Sequence, residues 1–387
     1  MGAVDRCNSI EELNRLAKKS LPGVIYDYIE GGAEDEITME RNRTSFLDYE
    51  FVPRVLRDVK DINLKTSMQG RNYAMPLFLA PTGMSRLFHY KGEPAAANAA
   101  EKNGIPYALS TVGTTSIEDI AKISGGSHFF QIYVWQSREL VYELINRCKK
   151  AGYSGIILAV DCASLGKRER DLRNGHGRPL EMKIKTALSG ITRFRWAFRF
   201  LTSGKLRMAN MADHLPYGGD MEKTIDKVNE QFDASVTWED ARKLRDSWDG
   251  PFLLKGVQCI EDCKKAIEIG ATGVVLSNHG GRQLDGAPPA FDLLPEAVSA
   301  AKDQLEIYID GGIRRGSDVI KAMALGAAGC MIGRPYLYGL AAGGEKGVNR
   351  SVEILEEEMV RVMQLIGCDA IHKVDAGYLR KTGCNHY

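Results

Sequence analysis

The stretch Glu306–Pro335, EIYIDGGIRRGSDVIKAMALGAAGCMIGRP, holds one complete repeat of the architecture. An apolar run, Ile307–Asp310, ends in two glycines. An amphipathic segment, Arg315–Gly326, follows, and a second apolar run, Gly329–Ile332, closes the unit. Polar residues do not alternate with apolar ones in either run, as expected of parallel strands covered on both faces. Working outward, the same unit recurs. Apolar runs at Pro76–Ala80, Tyr107–Ser110, Phe129–Val134, Gly155–Val160, Phe252–Lys255 and Gly273–Ser277 bring the total to eight. Helix-like stretches at Ser116–Ile123, Ser137–Gly152, Thr237–Trp248, Ile260–Gly270 and Leu293–Lys302 lie between them. Strands alternating with helices predict βαβ units, and eight such units close a barrel better than they make an open sheet. The fold class expected is α/β: a (β/α)8 TIM barrel with an N-terminal helical segment and a long insertion after strand 4.

The N-terminal segment reads as helical. Ser9 followed by Glu12 is a capping box, and Gly23–Glu30 is a second helix stopped by Gly31 and Gly32. The reading is one domain over 1–387: about 1–70 helical, about 75–366 barrel, and about 163–236 a lid or insertion. About ninety residues separate Val160 from Phe252, far more than an ordinary βα connection. The excess follows a strand's C-terminal end, the active-site face of this fold. Within it, 182–212 carries Lys183, Lys185, Arg193, Arg195, Arg199, Lys205 and Arg207 with no acid before Asp213, interleaved with Phe194, Trp196, Phe198, Phe200 and Leu201. That composition suits contact with a membrane surface; a solvated or subunit-contacting loop is the alternative.

Charge and composition exclude other classes. Net charge is +1, which argues against a general nucleic-acid binder. The eight cysteines are irregularly spaced, and Cys259 and Cys263 have no second pair or histidine to complete a zinc site. Reduced thiols and no metal are expected. No signal core, membrane-spanning run or peroxisomal C-terminus is present in the sequence. The location expected is cytoplasmic, free or peripheral on the inner face of a membrane.

In a barrel, strand C-termini face the site, so the ends can be read in order. They are Pro81-Thr82-Gly83, Ser110-Thr111, Gln131 with Tyr133, Asp161, Lys255, Ser277-Asn278-His279, Asp310-Gly311-Gly312 and Gly333-Arg334. The glycine-bearing loops after strands seven and eight, with Arg314 and Arg334, suit a phosphate; tight turns needing glycine are the plain alternative. Lys255 ends an apolar strand, so it either forms a Schiff base or stabilises negative charge on a cofactor. His279 can act as a base near neutral pH, Asp161 can fix its tautomer, and Arg282 can clamp a carboxylate.

The segment Ser277-Asn-His-Gly-Gly-Arg-Gln-Leu-Asp285 resembles the signature of the FMN-dependent α-hydroxy-acid dehydrogenases and oxidases, which include L-lactate dehydrogenase, mandelate dehydrogenase and glycolate oxidase. The resemblance runs over nearly the whole chain: Tyr26-Asp-Tyr28, Gly32-Ala-Glu-Asp35, Ala80-Pro-Thr82, Gln131-Ile-Tyr133, Asp161 to Arg168, Lys255-Gly256, Asp310-Gly-Gly312 and Gly333-Arg-Pro335. It implies FMN across the barrel mouth. Its phosphate would meet Asp310, Gly311, Gly312, Arg314, Gly333 and Arg334. Pro81, Thr82, Gly83, Ser110, Gln131 and Ser277 would line the ring, and Lys255 would stabilise charge near N1, which disfavours the Schiff base. Tyr28, Arg168 and Arg282 would hold the substrate carboxylate, Tyr133 the substrate oxygen, and His279, backed by Asp161, would accept a proton. The activity implied is oxidation of an (S)-2-hydroxy acid to the 2-oxo acid. L-Lactate is the first choice and a mandelate-like acid the second. Electrons would pass to a quinone or other acceptor; an oxidase that uses O2 and releases H2O2 is the alternative. A homotetramer is implied by resemblance alone.

Three departures bear on this. Ala159 stands where many relatives have threonine. Gly83 stands where glycolate oxidases tend to have alanine, which favours a dehydrogenase. Val112 replaces a tryptophan near the substrate, which disfavours glycolate. An FMN-barrel isomerase or a lysine-dependent aldolase would share the phosphate loops but would not need His279 with Arg168 and Arg282. An inactive flavin-binding module would not need them either.

Overall fold

The computed structural model describes residues 2–175, 193–214 and 232–382. Eight parallel strands form a closed barrel: β1 (Leu77–Thr82), β2 (Tyr107–Ser110), β3 (His128–Tyr133), β4 (Gly155–Ala159), β5 (Phe252–Val257), β6 (Gly273–Leu276), β7 (Glu306–Ile309) and β8 (Gly329–Ile332). Each apolar run read from the sequence is a strand. Closure comes where β8 pairs with β1, Cys330 opposite Leu77 and Ile332 opposite Leu79.

The strands are apolar throughout because each face has its own partner. Phe78, Ala80, Ala108, Phe129, Ile157, Leu253, Val275, Tyr308 and Met331 fill the barrel interior. Their neighbours, such as Leu79, Leu109, Phe130, Ile156 and Leu254, pack outward against the helices. Alternation of direction with period two is thus kept, while alternation of polarity is lost. Gly155 makes this packing work: a Cβ there would lie 2.3 Å from the Phe129 ring.

Two features escape the sequence reading. A hairpin, Thr66–Met68 with Arg71–Tyr73, plugs the barrel floor. Its Gln69 amide N–H donates to the Glu306 carboxylate at 2.9 Å. Two helices, Arg334–Gly343 and Glu345–Ile366, follow β8.

The N-terminal segment is α1 (Ile10–Ser20), α2 (Gly23–Glu30) and α3 (Ile37–Thr44). Ser9 caps α1 by accepting from the Glu12 N–H at 3.2 Å. The return bond of the expected box is shifted by one residue: Glu12 accepts from the Asn8 N–H at 2.7 Å. The cap of α3 is borrowed from the signature segment, where Asp285 accepts from the N–H groups of Ile37 at 3.3 Å and Thr38 at 2.7 Å.

Within the insertion after β4 lie the helices Glu169–Arg173 and Phe194–Thr202. Lys183 and Lys185, with the rest of 176–192 and 215–231 of the lid segment, and Cys384 lie outside the described residues. Among the described residues no helix is long and apolar enough to cross a membrane. Asp285→Ala removes a side-chain cap from a tertiary junction, so unfolding by urea should show a loss of about 1–2 kcal/mol.

Candidate active site

One cavity opens at the C-terminal ends of the strands. Of the residues expected at the site, Tyr28, Pro81, Thr82, Gly83, Ser110, Tyr133, Arg168, Lys255, His279, Arg282, Asp310, Gly311, Gly312, Arg314, Gly333 and Arg334 line it. Asp161, Gln131 and Ser277 stand immediately behind, each bonded to a lining side chain.

His279 follows β6 in the left-handed region, with φ of 60°. This aims its ring at the end of β4, where Nδ1 lies 3.0 Å from Asp161 Oδ2. A carboxylate only accepts, so Nδ1 carries the proton and Nε2 is left with a free lone pair. Burial pushes the Asp161 carboxyl up. The charge and hydrogen bond of His279, the charge of Lys255 and the Cys162 thiol outweigh that and hold it at about 2.

Lys255 is buried at the end of β5. Its Nζ lies 2.7 Å from Asp310 Oδ2 and donates to Ser277 Oγ at 2.9 Å. Burial works against its charge, but Asp310 and Asp161 overcome it and raise the ammonium above its ordinary value. It is therefore a fixed cation rather than a free amine. Ser277 Oγ also accepts from the His279 N–H at 3.0 Å, so one hydroxyl positions both groups.

Positive charge gathers on the other wall. Arg282 donates to the carbonyls of Tyr28 and Gly31 at 2.8 and 2.9 Å, with its guanidinium 5.1 Å from the Tyr28 ring centre. Among the described residues no carboxylate lies in ion-pair range of it. Burial, then the neighbouring Arg168, push it down to about 9. Arg168 lies 4.0 Å from Asp171 and donates to the Arg282 carbonyl at 3.4 Å. Two cations this close with one distant acid make a site short of an anion. The Tyr133 hydroxyl sits beside them, pushed well above its ordinary value by burial and hence a neutral donor.

Below, the two glycine loops converge. Gly311 and Gly312 have φ of 85° and 79°. A Cβ at Gly312 would sit 1.8 Å from the Asn42 carbonyl oxygen, so the loop has no room for a side chain. Arg314 donates to the Ile313 carbonyl at 2.9 Å. Arg334 lines the cavity and also fastens the N-terminal segment, donating to Ile29, Gly31 and Gly280 carbonyls at 2.8–3.0 Å.

The sequence over residues 17–381 matches the model for FMN-dependent dehydrogenases. The chain belongs to that family. It is 40% identical over 375 residues to the (S)-mandelate dehydrogenase of Pseudomonas putida, covering 97% of this chain and 94% of that one. A Mycobacterium tuberculosis protein provisionally named an L-lactate dehydrogenase is 40% identical over 379 residues, covering 97% and 90%. The glycolate oxidase of Spinacia oleracea is 38% identical over 371 residues, covering 96% and 95%. A crystal structure described as that of the monotopic membrane protein (S)-mandelate dehydrogenase superposes with a TM-score of 0.93 at 39% identity, covering 97% of this chain and 100% of that one. The protein is therefore an FMN-dependent oxidoreductase of 2-hydroxy acids.

The cavity suits FMN on its own terms. Gln131 Nε2 and Asp310 Oδ1 are buried with no partner among the described residues, a donor and an acceptor available to polar ligand atoms. Gln131 is held by the Ser110 hydroxyl, which donates to its Oε1 at 2.9 Å. The flavin, when bound, supplies the two-electron acceptor.

Sequence reasoning missed several neighbours, three of which bear on the chemistry. Phe232 packs edge-on to Tyr133 at 5.1 Å between centres, Met208 joins the cavity wall, and the Cys162 thiol donates to Asp161 Oδ1 at 3.4 Å. The first two come from the insertion, which carries no periodic signal. The third was legible as the residue after Asp161. Gln131→Met leaves the flavin one donor short, so FMN should leave roughly tenfold more readily in dilution assays, the equivalent of about 1–1.5 kcal/mol.

Proposed function

We propose that this enzyme oxidises (S)-2-hydroxy acids with an apolar side chain, L-lactate first and mandelate-like acids second, and passes the electrons to a quinone or other acceptor. One observation carries the chemistry. The His279–Asp161 pair opens on the same cavity as Arg168 and Arg282, the latter with no carboxylate in ion-pair range among the described residues. Arg168 and Arg282 take the substrate carboxylate, and the Tyr133 hydroxyl donates to the substrate oxygen. His279 Nε2 accepts the proton, and Asp161 stabilises the imidazolium that forms. Lys255 holds positive charge beside the flavin site. Val112, Leu165, Met208 and Phe232 give the side-chain end of the cavity an apolar wall.

The site should respond to removal of the orienting charge. Asp161→Asn is expected to fold and bind FMN but lose roughly 10²–10⁴-fold in kcat, by analogy with other imidazole–carboxylate pairs. Turnover on lactate, mandelate and glycolate, followed with a dye acceptor, ranks the substrates. A preference for glycolate would overturn the apolar reading. Slow reoxidation of the reduced enzyme by air, in stopped flow, distinguishes a dehydrogenase from an oxidase.

Membrane contact is supported by the Phe194–Thr202 helix. Phe194, Phe198 and Leu201 are 71%, 68% and 80% exposed, while Arg193, Arg195 and Arg199 flank them. The structural neighbour described as a monotopic membrane protein points the same way. Phe198→Glu with Leu201→Glu should cut sedimentation with anionic vesicles roughly tenfold or more, since each buried side chain is worth about 1.5–3 kcal/mol.

A further inference from the structure

A second chemistry is built into the orienting pair. Asp161, Cys162 and His279 each offer one ligand atom, and these atoms lie within 4.8 Å of one another. His279 Nδ1 is 3.0 Å from Asp161 Oδ2 and 4.0 Å from Cys162 Sγ, and that sulfur is 3.4 Å from Asp161 Oδ1. Tetrahedral zinc, with bonds of about 2.0–2.3 Å, spaces its ligand atoms roughly 3.3–3.7 Å apart. The two shorter approaches use different Asp161 oxygens, but one atom from each residue lies within 4.8 Å of the other two, so side-chain rotations would close them on one ion. Carboxylate, imidazole and thiolate are a mixed donor set of the kind that selects a borderline or soft divalent ion over magnesium or calcium.

The ion has a route that avoids the substrate. Cys162 lines a second cleft, with Val160, Ala163, Gly256, Val257 and Asp262. This cleft adjoins the catalytic cavity, meeting it at Tyr133 and Phe232. Water from this cleft can take the fourth position. We propose that Asp161, Cys162 and His279 form an inhibitory site for zinc or a similarly soft divalent cation.

The effect follows from proton placement. In the free enzyme Nδ1 holds the imidazole proton, and Nε2 is the base. Bound metal takes the Nδ1 lone pair, so that proton moves to Nε2. The thiol proton is released to solvent, and the sulfur–metal bond forms in its place. Nothing is oxidised or reduced. The ring stays in the cavity with its basic nitrogen already protonated, so kcat falls while substrate binding by Arg168 and Arg282 is largely spared. The inhibitory effect rests on His279 acting as the base; the binding does not.

The test uses the flavin-loaded protein and two readouts. Turnover is measured against free zinc set by a chelator buffer, with magnesium as control. Zinc should lower kcat with little change in KM, magnesium should not, and excess chelator should restore activity. Cys162→Ser, with Cys162→Ala as a second variant, should need roughly tenfold or more free zinc for the same fractional inhibition. Independently of turnover, cadmium should give the ultraviolet absorption of a thiolate–cadmium bond, and the parent-minus-Cys162→Ser difference should isolate this sulfur from the other cysteines. No such difference absorption, or equal zinc sensitivity in parent and variants, would overturn the site. Difference absorption with undiminished turnover would keep the site and overturn His279 as the base it disables.

Discussion

The Lys255 ammonium lies out of water between the Asp310 carboxylate and the Ser277 hydroxyl. A charge so placed is costly unless it is matched, and the matching ties three adjacent strand ends together. β5 supplies the lysine, the end of β6 the serine, and the end of β7 the aspartate. Ser277 in turn fixes the backbone of His279, whose ring reaches across to Asp161 after β4. Four consecutive strands therefore share one network, and the orientation of the base follows from the placement of the cation. The Asp310 oxygen left without a partner and the idle Gln131 amide mark where that network stops and a ligand must continue it.

The opposite wall works by the reverse principle. There the matching is poor: among the described residues Arg282 has no carboxylate in range, and Arg168 has Asp171 only at 4.0 Å. Arg282 is fastened by backbone carbonyls, which hold its geometry without cancelling its charge. The cavity thus has one neutralised side and one anion-hungry side. A 2-hydroxy acid, with its carboxylate at one end and its reacting carbon at the other, matches that polarity.

Much of this was legible from the sequence because the physics is local. A barrel strand covered on both faces must be apolar end to end, so Gly273–Leu276 or Gly329–Ile332 cannot be mistaken for surface. A polar residue closing such a run has to face the cavity, which exposed Lys255, His279 and Asp310. What stayed hidden depends on distant partners. The helices after Arg334 carry Gly339, Gly343 and Gly347, poor helix formers that blur the helical pattern. Asp285 reads as part of a signature, yet it caps a helix some 250 residues earlier in the chain. Cys162 stands beside Asp161 in the sequence, but its approach to His279 depends on how the chain leaves β4.

The carbonyls of Tyr28, Ile29 and Gly31 are met by Arg282 and Arg334 from the far end of the chain, with up to 305 residues between donor and acceptor. Contacts of such span are late events, because a long loop must close before they reward it. During synthesis these carbonyls precede the arginines that meet them by as many as 305 residues, so they stay bare until those arginines are made. The wall that carries Arg282 is therefore not fastened until residues as distant as Arg334 are in place.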